Sequence, residues 1–301
     1  MTASQGVGRP AGSSVARRLS GTLHRLSWLR LGLLLSAPMA WLLVAYLGAL
    51  AVLLLSAFWT TDVFTSEVIH EFTTANFEQL LTSDLFRTVT IRSVLVAAAV
   101  TVICAVVAFP MAFYMAKVAS PRMRGLMVVA VLTPLWASYL VKVYAWRAMF
   151  SGNGVINWLL EPFGLTGPGF GLTATVIVLA YLWLPFMILP IYAGLERLPD
   201  SLLEASGDLG AGAGRTTRSV VLPLAFPYVV AGSIFTFSLS LGDYITVQIV
   251  GGKTQLIGNL IYGSLLTANN LPLAGALATV PVIIMVIYLL GVRRTGALDQ
   301  L

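Results

Sequence analysis

Charged side chains are scarce in this chain of 301 residues. Asp, Glu, Lys and Arg together make up 10% of it, against about 25% in a typical soluble domain. Hydrophobic residues make up 58%, and the mean hydropathy is +0.89. A soluble fold of this composition would expose large apolar patches, and a disordered chain would need far more polar residues. The composition therefore excludes both classes and leaves a polytopic membrane protein.

Cysteine and histidine are almost absent. The only cysteine, Cys104, lies in an apolar stretch, which excludes an intramolecular disulfide and a cysteine zinc cluster. Two histidines, His24 and His70, are too few for a histidine-based metal site, so we expect no metal. The sequence also shows no nucleophile–base pair, and we expect the chain not to be an enzyme.

Six apolar runs are each long enough to cross about 30 Å of hydrocarbon as a helix. They are Leu31–Phe58, Val89–Met115, Leu126–Phe150, Thr173–Leu195, Leu224–Val250 and Leu271–Val292. We therefore predict an all-α membrane protein with six transmembrane helices within residues 31–294, in a plasma or inner membrane. The first run is too long for the core of a cleaved signal peptide, so we expect it to be retained.

Basic residues concentrate on one predicted side of the membrane. Of the 18 Lys and Arg residues, 13 fall in the N-terminal tail, in the loops after the second and fourth runs, or at the C-terminus. By the positive-inside rule, both termini are cytoplasmic. The net charge of +6 then reflects topology, and we expect no nucleic-acid partner.

The N-terminal tail, residues 1–30, has two possible interpretations. Four apolar residues repeat there at helical spacing: Val15, Leu19, Leu23 and Leu26. This spacing is typical of an amphipathic helix on the inner leaflet, with its arginines facing anionic lipid headgroups. The alternative is a disordered tail with scattered leucines. At the other terminus, residues 295–301 are predicted to be a short cytoplasmic tail.

The predicted cytoplasmic loop at residues 198–223, which we call the 198–223 loop, has the most distinctive sequence in the chain. Its pattern predicts two short helices around a turn, the first ended by Gly210 in a left-handed conformation. Arg215 and Arg218 are expected to end the second helix, and Pro223 to open the fifth span. Small residues on the first helix are typical of a surface that a partner protein binds.

The residues of this loop also match a longer motif. Glu204-Ala205-Ser206, followed at fixed distances by Gly210 and by Leu222-Pro223, resembles the EAA loop of ABC-importer permeases. Ser206 replaces the second alanine of the motif. In that family the loop is the coupling helix, which sits in a groove of a cytoplasmic ATPase. The resemblance implies that six residues serve this contact: Glu204, Ala205, Ser206, Gly210, Leu222 and Pro223. The alternative is a capped helical hairpin without a partner.

Other short strings resemble the spermidine/putrescine-type permeases, which have the type I importer fold. They are Pro134-Leu135-Trp136 with Lys142 and Tyr144, Leu184-Pro185-Phe186 with Pro190, Gly242-Asp243-Tyr244 with Gly251-Gly252, and Ile257-Gly258-Asn259. The resemblance implies ATP-driven import of a polyamine or a similar small cation. The alternatives are a permease for thiamine, ferric iron or sulfate, and an autonomous secondary transporter.

The partners follow from the same resemblance. The sequence contains no Walker A phosphate loop, Gly-x-x-x-x-Gly-Lys-[Ser/Thr]. The resemblance therefore assigns ATP and Mg²⁺ to a separate dimer of ABC ATPases, with no cofactor in this chain. It further implies a second homologous permease subunit and an extracytoplasmic substrate-binding protein.

Asp243 is the only acidic residue inside a predicted span. A carboxylate there is costly and usually faces a pathway or a partner charge. Either Asp243 contacts a cationic substrate, or it pairs with Lys142 or Arg147.

Six aromatic residues are candidates for cation–π contacts with that substrate: Trp136, Tyr139, Tyr144, Trp146, Trp183 and Tyr244. Trp136 and Tyr244 are the first choices. The alternative is the ordinary enrichment of Trp and Tyr at membrane interfaces.

Overall fold

A computed structural model describes residues 32, 35, 36, 38–62 and 65–294. The chain divides into two compact units, Met1–Leu53 and Leu54–Leu301. The amphipathic helix predicted in the tail and the predicted C-terminal tail at 295–301 lie outside the described residues.

The first unit contains most of one apolar helix, α1 (Pro38–Ser56). Its 19 residues rise about 28 Å at roughly 1.5 Å each, which suits the hydrocarbon core of a bilayer. Leu42–Leu47 form a π-helical stretch within it. This helix corresponds to the first predicted span.

The second unit is mainly helical, with one short β-hairpin near its start. Its elements in chain order are β1 (Thr60–Thr61), β2 (Val68–Ile69), α2 (Ala75–Thr82), α3 (Asp84–Val118), α4 (Pro121–Trp136), α5 (Tyr139–Phe150), α6 (Val155–Leu160), α7 (Leu172–Glu196), α8 (Asp200–Asp208), α9 (Ala213–Leu241), α10 (Ile245–Val250), α11 (Ile257–Thr267) and α12 (Leu271–Arg293).

Helices α3, α7 and α9 pack against one another at the centre of the second unit. Glycines allow the close approach of α7 and α9. Gly194 of α7 lies against the ring of Tyr228, and Gly232 of α9 lies against Met187. A methyl group added at either glycine would overlap its neighbour, so this packing depends on the absence of a side chain.

The described residues contain five helices that are long and apolar enough to cross a membrane, and the bent pair α4–α5 makes six. This confirms the predicted class. The third predicted span, Leu126–Phe150, is nevertheless broken, because α4 and α5 meet at 95°. Pro134 lacks the N–H group of a regular turn and weakens the end of α4. The ammonium group of Lys142 donates to the carbonyl of Pro134 (3.1 Å) across the bend.

The fifth predicted span, Leu224–Val250, does not coincide with a single helix. Helix α9 begins at Ala213, ends at Leu241, and is followed by a break before α10. Asp243 therefore lies between two helices and not in the interior of one. Hydropathy alone does not show such a break, because the residues on both sides of it are apolar.

The hairpin and α2 pack against α12. In the hairpin, Thr60 pairs with Ile69 and Thr61 with Val68 in antiparallel register. The hydroxyl of Thr61 donates to the side-chain oxygen of Asn270 (3.1 Å), which also accepts from the first turn of α12. No pattern in the sequence predicted this hairpin.

Candidate functional site

The 198–223 loop contains α8 and the start of α9, joined by a turn at Gly210. The backbone of Gly210 has φ +79°, and no neighbouring atom lies within 4 Å of the position that a Cβ would take. The left-handed conformation predicted for this residue is confirmed. Residues with a side chain adopt such a φ at a cost, so the direction in which the chain leaves α8 depends on glycine.

The second half of the loop agrees with the prediction in part. Arg215 lies in the last turn of a short α-helical stretch, Ala213–Thr216, and Pro223 lies in the first turn of the regular α-helix Leu222–Leu241, as predicted. The two stretches are not separate helices, because both belong to the long helix α9. A π-helical stretch, Thr217–Val221, directly precedes Leu222 and Pro223. A proline is well tolerated there, because Pro223 is in the first turn of the regular α-helical part of α9.

Contacts inside the second unit hold α8 in place. Leu198 and Leu203 pack against the central hydrophobic core. The hydroxyls of Ser206 and Thr216 lie 2.9 Å apart and connect α8 to α9. Ser206, predicted as a partner contact, therefore serves at least partly to fix the loop.

The other face of α8 is open. Glu204 and Ala205 are exposed, and so are Leu202 and Leu209, the latter 88% exposed. Leu202, Ala205 and Leu209 follow at helical spacing (i, i+3, i+7), which places them on one side of the helix. Leu209 was not among the predicted site residues, although this spacing in the sequence would have indicated it. Leu222, also a predicted contact, is half-exposed on α9.

A cavity of about 290 Å³ lies where α5, α7 and the α9–α10 break meet. It brings together four of the predicted pathway residues, which are Tyr139, Trp183, Asp243 and Tyr244. The ring centroids of Tyr139 and Trp183 are 5.9 Å apart. The indole N–H of Trp183 is buried and has no hydrogen-bond partner among the described residues. The cavity thus combines aromatic faces and one carboxylate.

Asp243 is 7% exposed, and its carboxylate is engaged by hydrogen bonds. It accepts from the hydroxyl of Tyr139 on α5. It also accepts from the backbone N–H of Thr246 (2.8 Å) and from the hydroxyl of Thr246 (3.2 Å). The N–H group of Thr246 lies in the first turn of α10, where backbone N–H groups have no partner within the helix, and the carboxylate of Asp243 provides one. Asp243 therefore joins α5 to the break between α9 and α10.

The ion pair considered for Asp243 is not formed. Within residues 65–294, the structure records no salt bridge from Asp243 to Lys142 or Arg147. Lys142 donates to the α4 carbonyl at Pro134, and Arg147 donates to the carbonyl of Ile249 (3.3 Å). Uncharged hydroxyl and N–H groups donate hydrogen bonds to the carboxylate instead.

Two of the short strings noted in the sequence meet beside this cavity. The side-chain amide of Asn259 donates to the carbonyl of Tyr244 (3.0 Å). A Cβ at Gly258 would lie 3.0 Å from the carbonyl oxygen of Asp243. Gly258 and Asn259 thus let α11 pack directly against the α9–α10 break and hold it.

The other predicted aromatic residues lie outside this cavity. Tyr144 lines a neighbouring cavity of about 430 Å³ together with Arg147, Gln248 and Tyr262, and Tyr244 borders both cavities. Trp136 lines neither of the two cavities and is 86% exposed at the end of α4. Tyr244 therefore lies at both cavities and Trp136 at neither, and the roles of both residues on the substrate pathway stay predictions.

A family model, related sequences and solved structures all indicate the same kind of protein. The family model described as binding-protein-dependent transport system inner membrane component matches residues 105–299. The inner membrane ABC transporter permease protein YdcU of Escherichia coli (strain K12) is 44% identical over 299 residues, covering 94% of this chain and 95% of that protein.

More distant relatives carry a more specific name. The spermidine/putrescine transport system permease protein PotB of Haemophilus influenzae is 31% identical over 231 residues, covering 75% of this chain and 80% of that protein. Among solved structures, one chain of a bacterial alginate ABC transporter, in complex with an alginate pentasaccharide-bound periplasmic protein, has a TM-score of 0.70. It is 16% identical, and the match covers 93% of this chain and 97% of that one, so this likeness concerns the fold alone.

Proposed function

Since the chain belongs to the family of binding-protein-dependent transport system inner membrane components and is an ABC transporter permease subunit, we propose that it imports a polyamine. The observation that carries the substrate class is the match to spermidine/putrescine permeases over three quarters of the chain. YdcU, the more similar relative, has no substrate in its name.

The chemistry of the cavity at the α9–α10 break supports a cationic substrate. A polyamine that leaves water needs carboxylates or aromatic faces in place of its hydration shell. The three hydrogen bonds to Asp243 leave one of about four acceptor positions of a carboxylate unused. An ammonium group at that position would also lie beside the rings of Tyr139, Trp183 and Tyr244, which line the same cavity.

We further propose that the 198–223 loop is the contact for a separate ATPase. Two observations support this proposal. The loop carries the motif, and Glu204, Ala205 and Leu209, in α8 or directly after it, are all exposed. In this arrangement the loop and both termini face the cytoplasm, as the distribution of basic residues predicts. A second permease subunit and an extracytoplasmic binding protein complete the importer.

Uptake by the reconstituted complex tests this function. The permease is purified with its ATPase, second permease and binding protein and placed in lipid vesicles with labelled spermidine or putrescine outside. We expect uptake only when ATP is hydrolysed, and competition by unlabelled polyamine but not by thiamine, ferric iron or sulfate. Uptake driven by an ion gradient without ATP would contradict the importer mechanism, and competition by one of the other three would contradict the substrate.

A further inference from the structure

Lys117 at the end of α3 has a buried ammonium group directed at the start of the 198–223 loop. Its side chain is only 8% exposed. The ammonium group donates to the carbonyl of Leu198 (2.5 Å) and to the carboxylate of Asp200 (2.7 Å). Asp200 is the first residue of α8, so a single side chain of α3 holds the point at which the chain enters this helix.

A second basic residue fixes the end of α3 itself. Arg124, in the first turn of α4, donates to the carbonyls of Met115 and Ala116, both at 3.0 Å. Its remaining terminal nitrogen lies 3.5 Å from the carboxylate of Glu196, the last residue of α7. Two adjacent cations therefore connect the ends of α3, α4 and α7 with the start of α8.

This arrangement differs from an ordinary surface ion pair. The Asp84–Arg87 pair is 3.7 Å long, with side chains 96% and 65% exposed, and such pairs contribute little. A buried ammonium group is costly without partners, so the contacts of Lys117 define one position for the loop. The hydrogen bond from Lys117, together with its charge, holds the pKa of the Asp200 carboxyl below its usual value, because both favour the ionised form.

The two cations lie at one end of α4, and the candidate substrate cavity lies near its other end. Helix α4 has 16 residues and is about 24 Å long. Tyr139, the first residue of α5 directly after the bend, binds Asp243. The path from α8 to the cavity thus runs through Lys117, the α3–α4 turn, α4, the bend after α4 and Tyr139. The hydrogen bonds of Arg124 span the α3–α4 turn, and that of Lys142 to Pro134 spans the bend.

We propose that Lys117 is a positioning residue for transport coupling. It fixes the start of α8 to the α3–α4 turn, so that a displacement of α8 moves α4 and is not absorbed by bending of residues 197–200. This role rests on the proposed contact between the 198–223 loop and an ATPase. It concerns transmission of the movement within the permease and not the ATPase contact itself.

The test uses the complete importer in lipid vesicles and measures ATP hydrolysed and substrate imported in parallel. For Lys117→Met we expect the ATPase to co-purify and hydrolyse ATP as in the wild type. Substrate imported per ATP should fall about tenfold, the factor that corresponds to the lower end of the free energy of a hydrogen bond to a charged group. Lys117→Arg retains donors for Leu198 and Asp200 and should restore most of the ratio.

A second variant keeps the test decisive if Lys117→Met fails to assemble. Asp200→Ala removes one acceptor at an exposed position, 75% exposed, and should lower the same ratio without affecting assembly. Arg87→Met breaks the exposed ion pair at the start of α3 and is the matched control, with an unchanged ratio. The proposal would be overturned if Lys117→Met or Asp200→Ala imported as much substrate per ATP as the wild type. It would also be overturned if ATP hydrolysis and substrate import fell equally. If the wild-type permease binds no ATPase, the proposed function itself is wrong.

Discussion

The hydroxyl of Tyr139 donates a hydrogen bond to the carboxylate of Asp243, and these residues are 104 positions apart in the chain. The contact joins the first residue of α5, just after the 95° bend, to the break between α9 and α10. The α4–α5 bend and the α9–α10 break therefore meet at one carboxylate. In membrane transporters, broken helices of this kind commonly surround a substrate site.

Asp243→Asn tests whether this carboxylate acts on the substrate. The amide keeps one oxygen to accept from Thr246 and removes the negative charge. We expect polyamine uptake to fall by about tenfold, the factor that corresponds to the lower end of the free energy of a hydrogen bond to a charged group, while the complex purifies in normal amount. Unchanged uptake kinetics would show that Asp243 has only a structural role. Glu161→Gln, an exposed carboxylate in the turn after α6, is the control.

Tyr139→Phe separates the hydrogen bond from the aromatic face. The ring remains available for a cation, but the buried carboxylate of Asp243 loses a donor. We expect a loss of about 1–3 kcal/mol in stability, measured as a lower temperature of thermal unfolding of the purified permease. Tyr144→Phe, in the neighbouring cavity, should change stability by less than about 0.5 kcal/mol. Equal effects of the two substitutions would contradict the importance of the Tyr139–Asp243 contact.

Gly258→Ala tests the packing of α11 against the α9–α10 break. The new methyl group would lie 3.0 Å from the carbonyl oxygen of Asp243 and 3.1 Å from the Cβ of Tyr244. Overpacking of this kind costs about 1–3 kcal/mol, and it should lower both thermal stability and uptake. Gly263→Ala lies in the same helix, where no atom is within 4 Å of the added Cβ, and should be neutral. If Gly263→Ala were less stable than Gly258→Ala, the result would contradict this packing.

Leu209→Asp tests the exposed face of α8. Leu209 makes little contact inside the permease, so the variant should fold normally. We expect less ATPase to co-purify, because a charge would replace an apolar contact at the interface. Leu165→Asp places the same charge at another exposed leucine, in the segment before α7, and should retain the ATPase. Equal recovery of ATPase with both variants would exclude Leu209 from the interface.

Local features of this fold were predictable from sequence, and contacts between distant segments were not. Gly210 was assigned its left-handed conformation from its place after a short helix, and the structure agrees. The Tyr139–Asp243 and Lys117–Asp200 contacts join residues 104 and 83 positions apart. No periodicity connects such pairs. For Asp243 the sequence indicated Lys142 or Arg147 as partners, because it shows charges but not which hydroxyl lies nearby.

Trp136 and Arg215 show which features of helix geometry the sequence did not reveal. Trp136 lies two residues after Pro134, at the bend between α4 and α5, and its side chain is exposed and does not line the cavity at the α9–α10 break. Arg215 was expected to end a short helix, but the chain continues from there through the π-helical stretch Thr217–Val221 into the rest of α9. Bends and π turns depend on packing that the local sequence does not encode.

The central claim is that the 198–223 loop binds an ATPase, and the amount of ATPase that co-purifies with Gly210→Val tests it most directly. Valine disfavours φ +79° and changes the direction in which the chain leaves α8. Gly164→Val is the matched control, because Gly164 also has a positive φ (+66°) and open space around it, but lies after α6. We predict that Gly210→Val loses most of the ATPase while Gly164→Val retains it. Recovery of the ATPase with Gly210→Val at the wild-type level would contradict the claim.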